Sequence, residues 1–192
     1  NNNGNFVPNP SSNGWEWGVS TVAGAHSGTK VWGTRLNSPY PNNANYQLTT
    51  PTVYIGTNFM LEFWHYYNTE ASYDGGNVKI STNGGTTWTL ITPEGGYPAS
   101  NLGVLNGPGY DGNSSGWVFA RFNLSGYANQ NVQFRFTFAS DGGVTGDGWF
   151  IDDVRTTGFV EFAGNVSGTV ISGNSDIDFS KVNVQNSNSW IT

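Results

Sequence analysis

Asp152 and Asp153 stand side by side in a stretch otherwise full of large apolar groups, Gly148-Trp-Phe-Ile-Asp-Asp-Val154. Successive side chains of a strand point to opposite faces, so one of the two carboxylates is expected to turn toward the interior. A carboxylate there is costly unless it is paired, hydrogen-bonded or bound to a cation. The chain holds seven Lys and Arg against thirteen Asp and Glu. A hard cation with oxygen ligands is therefore a natural partner, and Ca²⁺ accepts six to eight of them. Glu70 and Asp74, with backbone carbonyls from residues 25–30, are the expected companions. The competing reading is that Asp152 and Asp153 accept backbone amides, or pair with Arg121, Arg135 and Arg155.

Other chemistry finds less support. Asp141-Gly-Gly-Val-Thr-Gly-Asp147 spaces two acids in a glycine loop but lacks the twelve-residue calcium pattern, and reads as a plain turn. His26 and His65 are the only histidines. No His-Glu-x-x-His occurs, and His65, on an alternating strand, is expected in the core. No Gly-x-Ser-x-Gly elbow is present. Glu62 or Glu70 with Asp74 could in principle serve as a glycosidase pair, but their spacing in sequence fixes no separation. Trp64, Trp88, Tyr97, Tyr110 and Trp117 are the rings that could stack on a sugar; most aromatics in a sandwich of this size are core.

Composition narrows the function classes. A net charge of −6 leaves no basic field for a phosphate backbone, which argues against nucleic-acid binding. The absence of cysteine removes disulfides, thiolate zinc sites and Cys nucleophiles. No run of about 18 apolar residues exists, so no helical membrane insertion is expected. The opening Asn-Asn-Asn-Gly-Asn-Phe does not read as a signal peptide; an exported protein would already have lost its own. Abundant Asn, Thr, Ser and Gly, with 10% charged residues, fits a secreted or cell-surface bacterial protein.

The elements that must carry these acids are strands. Phe59, Leu61, Phe63, His65 and Tyr67 alternate with Met60, Glu62, Trp64 and Tyr66. Val132, Phe134, Phe136 and Phe138 form a second aromatic face. Further strands are predicted over 15–22, 30–36, 46–55, 77–82, 87–92, 117–122 and 148–156, separated by Asn-Gly-Gly, Asp-Gly-Gly and Pro-Gly turns. Residues 93–116 read as a long loop excursion. The sum is an all-β, two-sheet antiparallel jelly-roll sandwich over residues 1–158. Residues 159–192 add a short β tail, with strands at 159–163, 166–171 and 181–184. That tail is too small for its own core, so it packs in cis, belongs to a truncated second domain, or pairs with another molecule.

An ordered series of motifs carries a family resemblance: Ala25-His-Ser-Gly28, Val31-Trp-Gly-Thr34, Leu48-Thr-Thr-Pro51, Phe63-Trp-His-Tyr-Tyr-Asn-Thr-Glu70, Tyr73-Asp-Gly-Gly-Asn-Val-Lys-Ile-Ser81, Asn83-Gly-Gly-Thr-Thr-Trp88 and Gly148-Trp-Phe-Ile-Asp-Asp-Val154. Over residues 15–156 the chain resembles the MAM-like jelly-roll modules of secreted bacterial proteases, of immune-inhibitor-A type, and the related cleaved-adhesin domains. The resemblance implies a non-catalytic sandwich with a structural calcium ion, and it makes Asp152 the principal ligand. Such domains often add an acid from the first strand; residues 1–15 contain none, so the site is either incomplete or draws on Glu16. The segment Val166-Ser-Gly-Thr-Val-Ile171 resembles the opening strand of a carboxypeptidase-regulatory-like domain. The expected function is adhesion or support within a secreted or surface protein, with other subunits or surface polymers as partners. Two alternatives stay open: a surface-fibre subunit self-associating by strand addition through the C-terminal tail, and a carbohydrate-binding module.

Overall fold

The computed structural model describes residues 2–158. Thirteen strands form among them: β1 (Val7–Asn9), β2 (Glu16–Gly18), β3 (Val31–Gly33), β4 (Asn45–Thr49), β5 (Val53–Ile55), β6 (Phe59–Asn68), β7 (Gly75–Ser81), β8 (Thr89–Leu90), β9 (Ala99–Leu102), β10 (Gly107–Gly109), β11 (Val118–Asn123), β12 (Gln130–Ala139) and β13 (Gly148–Gly158). They make two facing antiparallel sheets, β1-β4-β12-β7-β8 and β11-β6-β13-β3-β2, with β5 also on β12 and β9–β10 as a separate ribbon. Partners such as β4 and β12, or β6 and β13, are distant in sequence, the interleaving that a jelly roll produces.

The period-two patterns decide which side chains meet between the sheets. Phe134, Phe136 and Phe138 from β12 are completely buried, as are Leu61 and Phe63 from β6. Phe136 meets Phe63 edge to face at 5.1 Å and Trp149 of β13 at 5.9 Å. Gly76 lies beneath that indole. A Cβ added there would sit 2.2 Å from Trp149 Cε3, so only a residue without one lets the ring cross β7.

Several predicted elements change shape for identifiable reasons. The strand expected over 46–55 is two strands, because Pro51 has no N–H to give a ladder. Thr50 bridges the gap: its N–H donates to Phe134 O at 2.9 Å, and its Oγ1 accepts from Phe134 N–H at 3.0 Å. The strand expected over 15–22 stops at Gly18, and the chain then crosses the outer face of the β13 sheet. Ala23 and Ala25 there cover Val31, Leu36 and Phe150. The excursion over 93–116 is ordered rather than looped out. It contains the β9–β10 ribbon, and Leu102 and Leu105 pack on Ala139. The expected tail strands lie outside the described residues.

Candidate functional site

Loops at one end of the sandwich bring three acids together. Glu70 and Asp74 come from the β6–β7 connection and Asp141 from the β12–β13 connection, and one ligand atom from each lies within 4.8 Å of the others. Asp74 is fully buried. Its Oδ2 accepts from Tyr40 O–H at 2.8 Å and its Oδ1 from Asp141 N–H at 2.8 Å. The Tyr40 hydroxyl oxygen also accepts from Glu70 N–H at 3.1 Å, tying the β3–β4 connection into the same knot. Val144 N–H donates to Glu70 Oε2, and Gly143 N–H to Asp141 Oδ1. A Cβ on Gly143 would come within 3.2 Å of both carboxylates, so glycine permits their approach.

The electrostatics of this group are unbalanced. Burial pushes the Asp74 carboxyl above the ordinary carboxylate range; the Asp141 amide and the Tyr40 hydroxyl pull it back only partly, and the Asp141 charge pushes it further up. No basic side chain is among the groups that act on it; Arg121 and Arg155 grip Glu62, and Arg35 grips Glu16. Three carboxylates, one of them fully buried, suit Ca²⁺, whose remaining positions can be filled by water or backbone carbonyls. From sequence the Asp141 loop reads as a plain turn; no EF-hand spacing marks it, because its partners arrive from about seventy residues away in the chain.

Asp152 and Asp153 do different work. The register between β13 and β6 runs from Asp152↔Trp64 to Arg155↔Glu62, so one extra residue is inserted in β13. Asp153 has φ of 51°, a left-handed conformation that Asp tolerates better than most residues. The bulge keeps Ile151 and Val154 both in the core, and it frees the acid pair from the strict alternation assumed from sequence. Asp152 Oδ2 accepts the amides of His26 and Ser27 at 3.0 and 3.1 Å, and its Oδ1 accepts Asp153 N–H at 2.9 Å. Amides of the segment thus face this carboxylate, where carbonyls were expected. Burial pushes the Asp152 carboxyl up, and the amides of Ser27, Asp153 and His26 offset part of that against the Asp153 charge.

Asp153 completes a clamp on the same segment. His26 Nδ1 lies 2.7 Å from Asp153 Oδ2, and Ser27 O–H donates to Asp153 Oδ1 at 2.6 Å. A nucleophilic triad places the imidazole between serine and carboxylate. Here the carboxylate stands between the other two. The His26 ring stacks on Trp64 at 4.0 Å and meets the edge of Trp117 at 6.0 Å.

The four acids grouped from sequence therefore fall into two places. Asp152 pairs with Trp64 and Gly148 with Asn68, so four strand residues, about 13 Å, separate Asp152 from the end of the sheet that carries Glu70. Glu16 is held by Arg35 and Leu36 N–H. The expected sugar-stacking rings are also dispersed: Tyr110 lies in the core with Tyr97 against it, Trp88 lies under Arg135 at 3.8 Å, and Trp64 and Trp117 flank His26. His65 is buried as expected, with Trp149 Nε1–H donating to its Nδ1 at 3.2 Å.

Two packed antiparallel sheets, with acid-bearing loops at one end, define a MAM-like sandwich module. The chain belongs to the immune inhibitor A-like MAM domain family, whose model matches residues 34–169. It is 34% identical over 155 residues to bacillopeptidase F of Bacillus subtilis (strain 168), covering 79% of this chain and 10% of that protein. It is 32% identical over 106 residues to the pre-pro-metalloprotease PrtV of Vibrio cholerae, covering 54% of this chain and 11% of that one. The chain thus spans about a tenth of the length of these curated relatives. Among solved structures, the K1 cleaved adhesin domain of Lys-gingipain from Porphyromonas gingivalis W83 superposes with a TM-score of 0.49. The identity is 16%, over 81% of this chain and 91% of that one.

Proposed function

We propose that this chain is a non-catalytic, extracellular accessory module of a larger secreted protein, stabilised by Ca²⁺ at Glu70, Asp74 and Asp141, and serving attachment or support. The observation that carries the reading is Asp74: a fully buried carboxylate, beside two more, with no basic side chain among the groups that act on it. A divalent cation would remove the repulsion that the loops otherwise have to bear, and would lock the β6–β7 and β12–β13 connections to each other. Family membership and the small share of the protease relatives that the chain spans support a module rather than an enzyme.

The test is thermal unfolding in Ca²⁺ and in EDTA at equal ionic strength. A ligand bound only by the native state, at a hundredfold excess over its Kd, adds about 2.7 kcal/mol. For a domain of this size that raises Tm by roughly 5–10 °C. Asp74→Asn is expected to abolish the Ca²⁺ response, whereas Asp153→Asn leaves it intact. An equal Tm in both buffers, or a response lost only in Asp153→Asn, would refute the assignment.

A further inference from the structure

Charge is segregated between the two sheets. The strands β1, β4, β5, β7, β8 and β12 contain no acid and two bases, Lys79 and Arg135. These two stand directly opposite each other across the β7–β12 ladder. Their chain neighbours Val78 and Phe136 point into the core, so both cations lie on the outer face of the sheet. Like charges in register repel. Yet among the described residues neither meets an acid, whereas Arg35, Arg121 and Arg155 each grip one. Both are half-buried. Burial and the Arg135 charge push the Lys79 ammonium below its ordinary range, and burial does the same to Arg135. The Trp88 ring lies 3.8 Å from the Arg135 guanidinium, whose Nε–H donates to Thr49 Oγ1 at 3.3 Å. The planar group is thus held in place while its terminal nitrogens keep no partner among the described residues.

From this arrangement we infer that Lys79 and Arg135 bind a carboxylate of an acidic, uronate-containing polysaccharide. Charge complementarity carries the assignment: two unpaired cations share one face of a chain whose net charge is −6, so a polyanion is repelled elsewhere and steered here. The neighbours on this face favour a sugar over a peptide. Gln47, Thr49 and Gln133 flank the pair with amides and a hydroxyl rather than with apolar side chains. β7 and β12 are interior strands, each paired on both sides, so a peptide finds no edge to extend at Lys79 and Arg135. The face is bounded at one end by the β9–β10 ribbon, where Asn77 Nδ2–H donates to Pro108 O at 3.0 Å, and Trp88 overlies Arg135. This site is separate from the Glu70 cluster in the loops and does not depend on an ion there.

The experiment is NMR titration of the full chain, followed through the Trp88 indole N–H signal, assigned by Trp88→Phe. The probe is trigalacturonate up to ~20 mM, a range that captures millimolar affinity. Its trimethyl ester is the neutral control, and N-acetyl-triglutamate amide is the acidic-peptide control. Each is titrated first without added Ca²⁺ and then with it. Trigalacturonate is expected to shift the Trp88 signal without Ca²⁺, the ester to leave it in place, and the peptide to bind more weakly than the sugar. Lys79→Met keeps the aliphatic stem and should weaken binding ~10-fold, the loss of one charge-assisted hydrogen bond. The same variant should leave Tm unchanged or higher, because it relieves the repulsion from Arg135. Equal binding of the ester, binding of the peptide as tight as that of the sugar, a shift that appears only with Ca²⁺, unchanged affinity in Lys79→Met, or no shift at all would each overturn the inference.

Discussion

Acid should weaken this fold through one histidine. His65 lies between the sheets with 1% of its surface exposed. Its neutral ring accepts the Trp149 indole N–H on Nδ1 and is surrounded by Phe63, Tyr67 and Tyr110. Burial disfavours the imidazolium and holds the folded pKa at about 3, against about 6.5 for a free histidine. The unfolded chain therefore takes up a proton as pH falls below about 6.5, while the native chain does not until about pH 3. Stability from this group is complete above pH 6.5, is lost as pH falls through that window, and is constant again below it. The limiting slope is about 1.4 kcal/mol per pH unit, so the fall from pH 7 to 4.5 costs about 2.7 kcal/mol. Urea unfolding across that range, on the native chain and on His65→Asn, isolates the effect. Asn can place an acceptor oxygen near the Nδ1 position, so the Trp149 N–H keeps a partner, and the smaller side chain costs about 1–3 kcal/mol at every pH. Asp74 and Asp152, whose folded pKa values are raised, act in the opposite direction and cancel in the difference between the two proteins. The gap is expected to narrow by about 2.7 kcal/mol between pH 7 and 4.5, so that the variant approaches or overtakes the native chain in acid. Parallel curves would refute the reasoning.

Two further perturbations test other parts of the scaffold. Glu62 is buried between Arg121 and Arg155 at 2.8 and 2.9 Å. Burial alone would raise its pKa, but hydrogen bonds and charge from the two arginines hold it below the usual range; its contribution is present above pH 4–5 and is lost as pH falls through the folded value. Glu62→Gln should destabilise by about 1–3 kcal/mol in urea unfolding at pH 7, less than a fully buried pair because both arginines are partly solvated. An unchanged midpoint would show the triad to be incidental. Gly76→Ala drives a methyl into the Trp149 ring and should lower stability by about 1–3 kcal/mol, with a change in near-UV circular dichroism; an unchanged spectrum and midpoint would mean that the indole has room to move.

The sandwich was legible because its pattern is local. Phe134, Phe136 and Phe138 alternate without a break, and one residue of slip would turn all three into water. His65 shares that regularity, and its burial followed from the row in which it stands. The acids were less legible because their placement depends on events that no local pattern records. Alternation predicts opposite faces for Asp152 and Asp153, but an inserted residue overrides it, and nothing in Ile-Asp-Asp-Val marks a bulge. Asp141 was missed for the converse reason: its meaning comes from Glu70 and Asp74, which reach it only after β12 has paired with β7.

The two acid groups differ in what faces them, and this assigns them different tasks. At the bulge, donors converge: two loop amides, a third amide within the pair, a hydroxyl and a histidine ring meet Asp152 and Asp153. The pair fastens residues 26–27 across the outer face of the sheet, and a cation there would have to compete with those donors for the same oxygens. At the end of the sandwich, acceptors converge. Glu70 and Asp141 each accept one N–H bond, and Asp74 accepts one bond on each oxygen, while the three repel one another, so the charge that would drive cation binding is retained. An ion's contribution should therefore be concentrated in the loops joining β6 to β7 and β12 to β13. Hydrogen exchange in those loops is expected to slow on adding Ca²⁺ far more than exchange at His26 and Ser27, whose amides are already bonded to Asp152 in its absence.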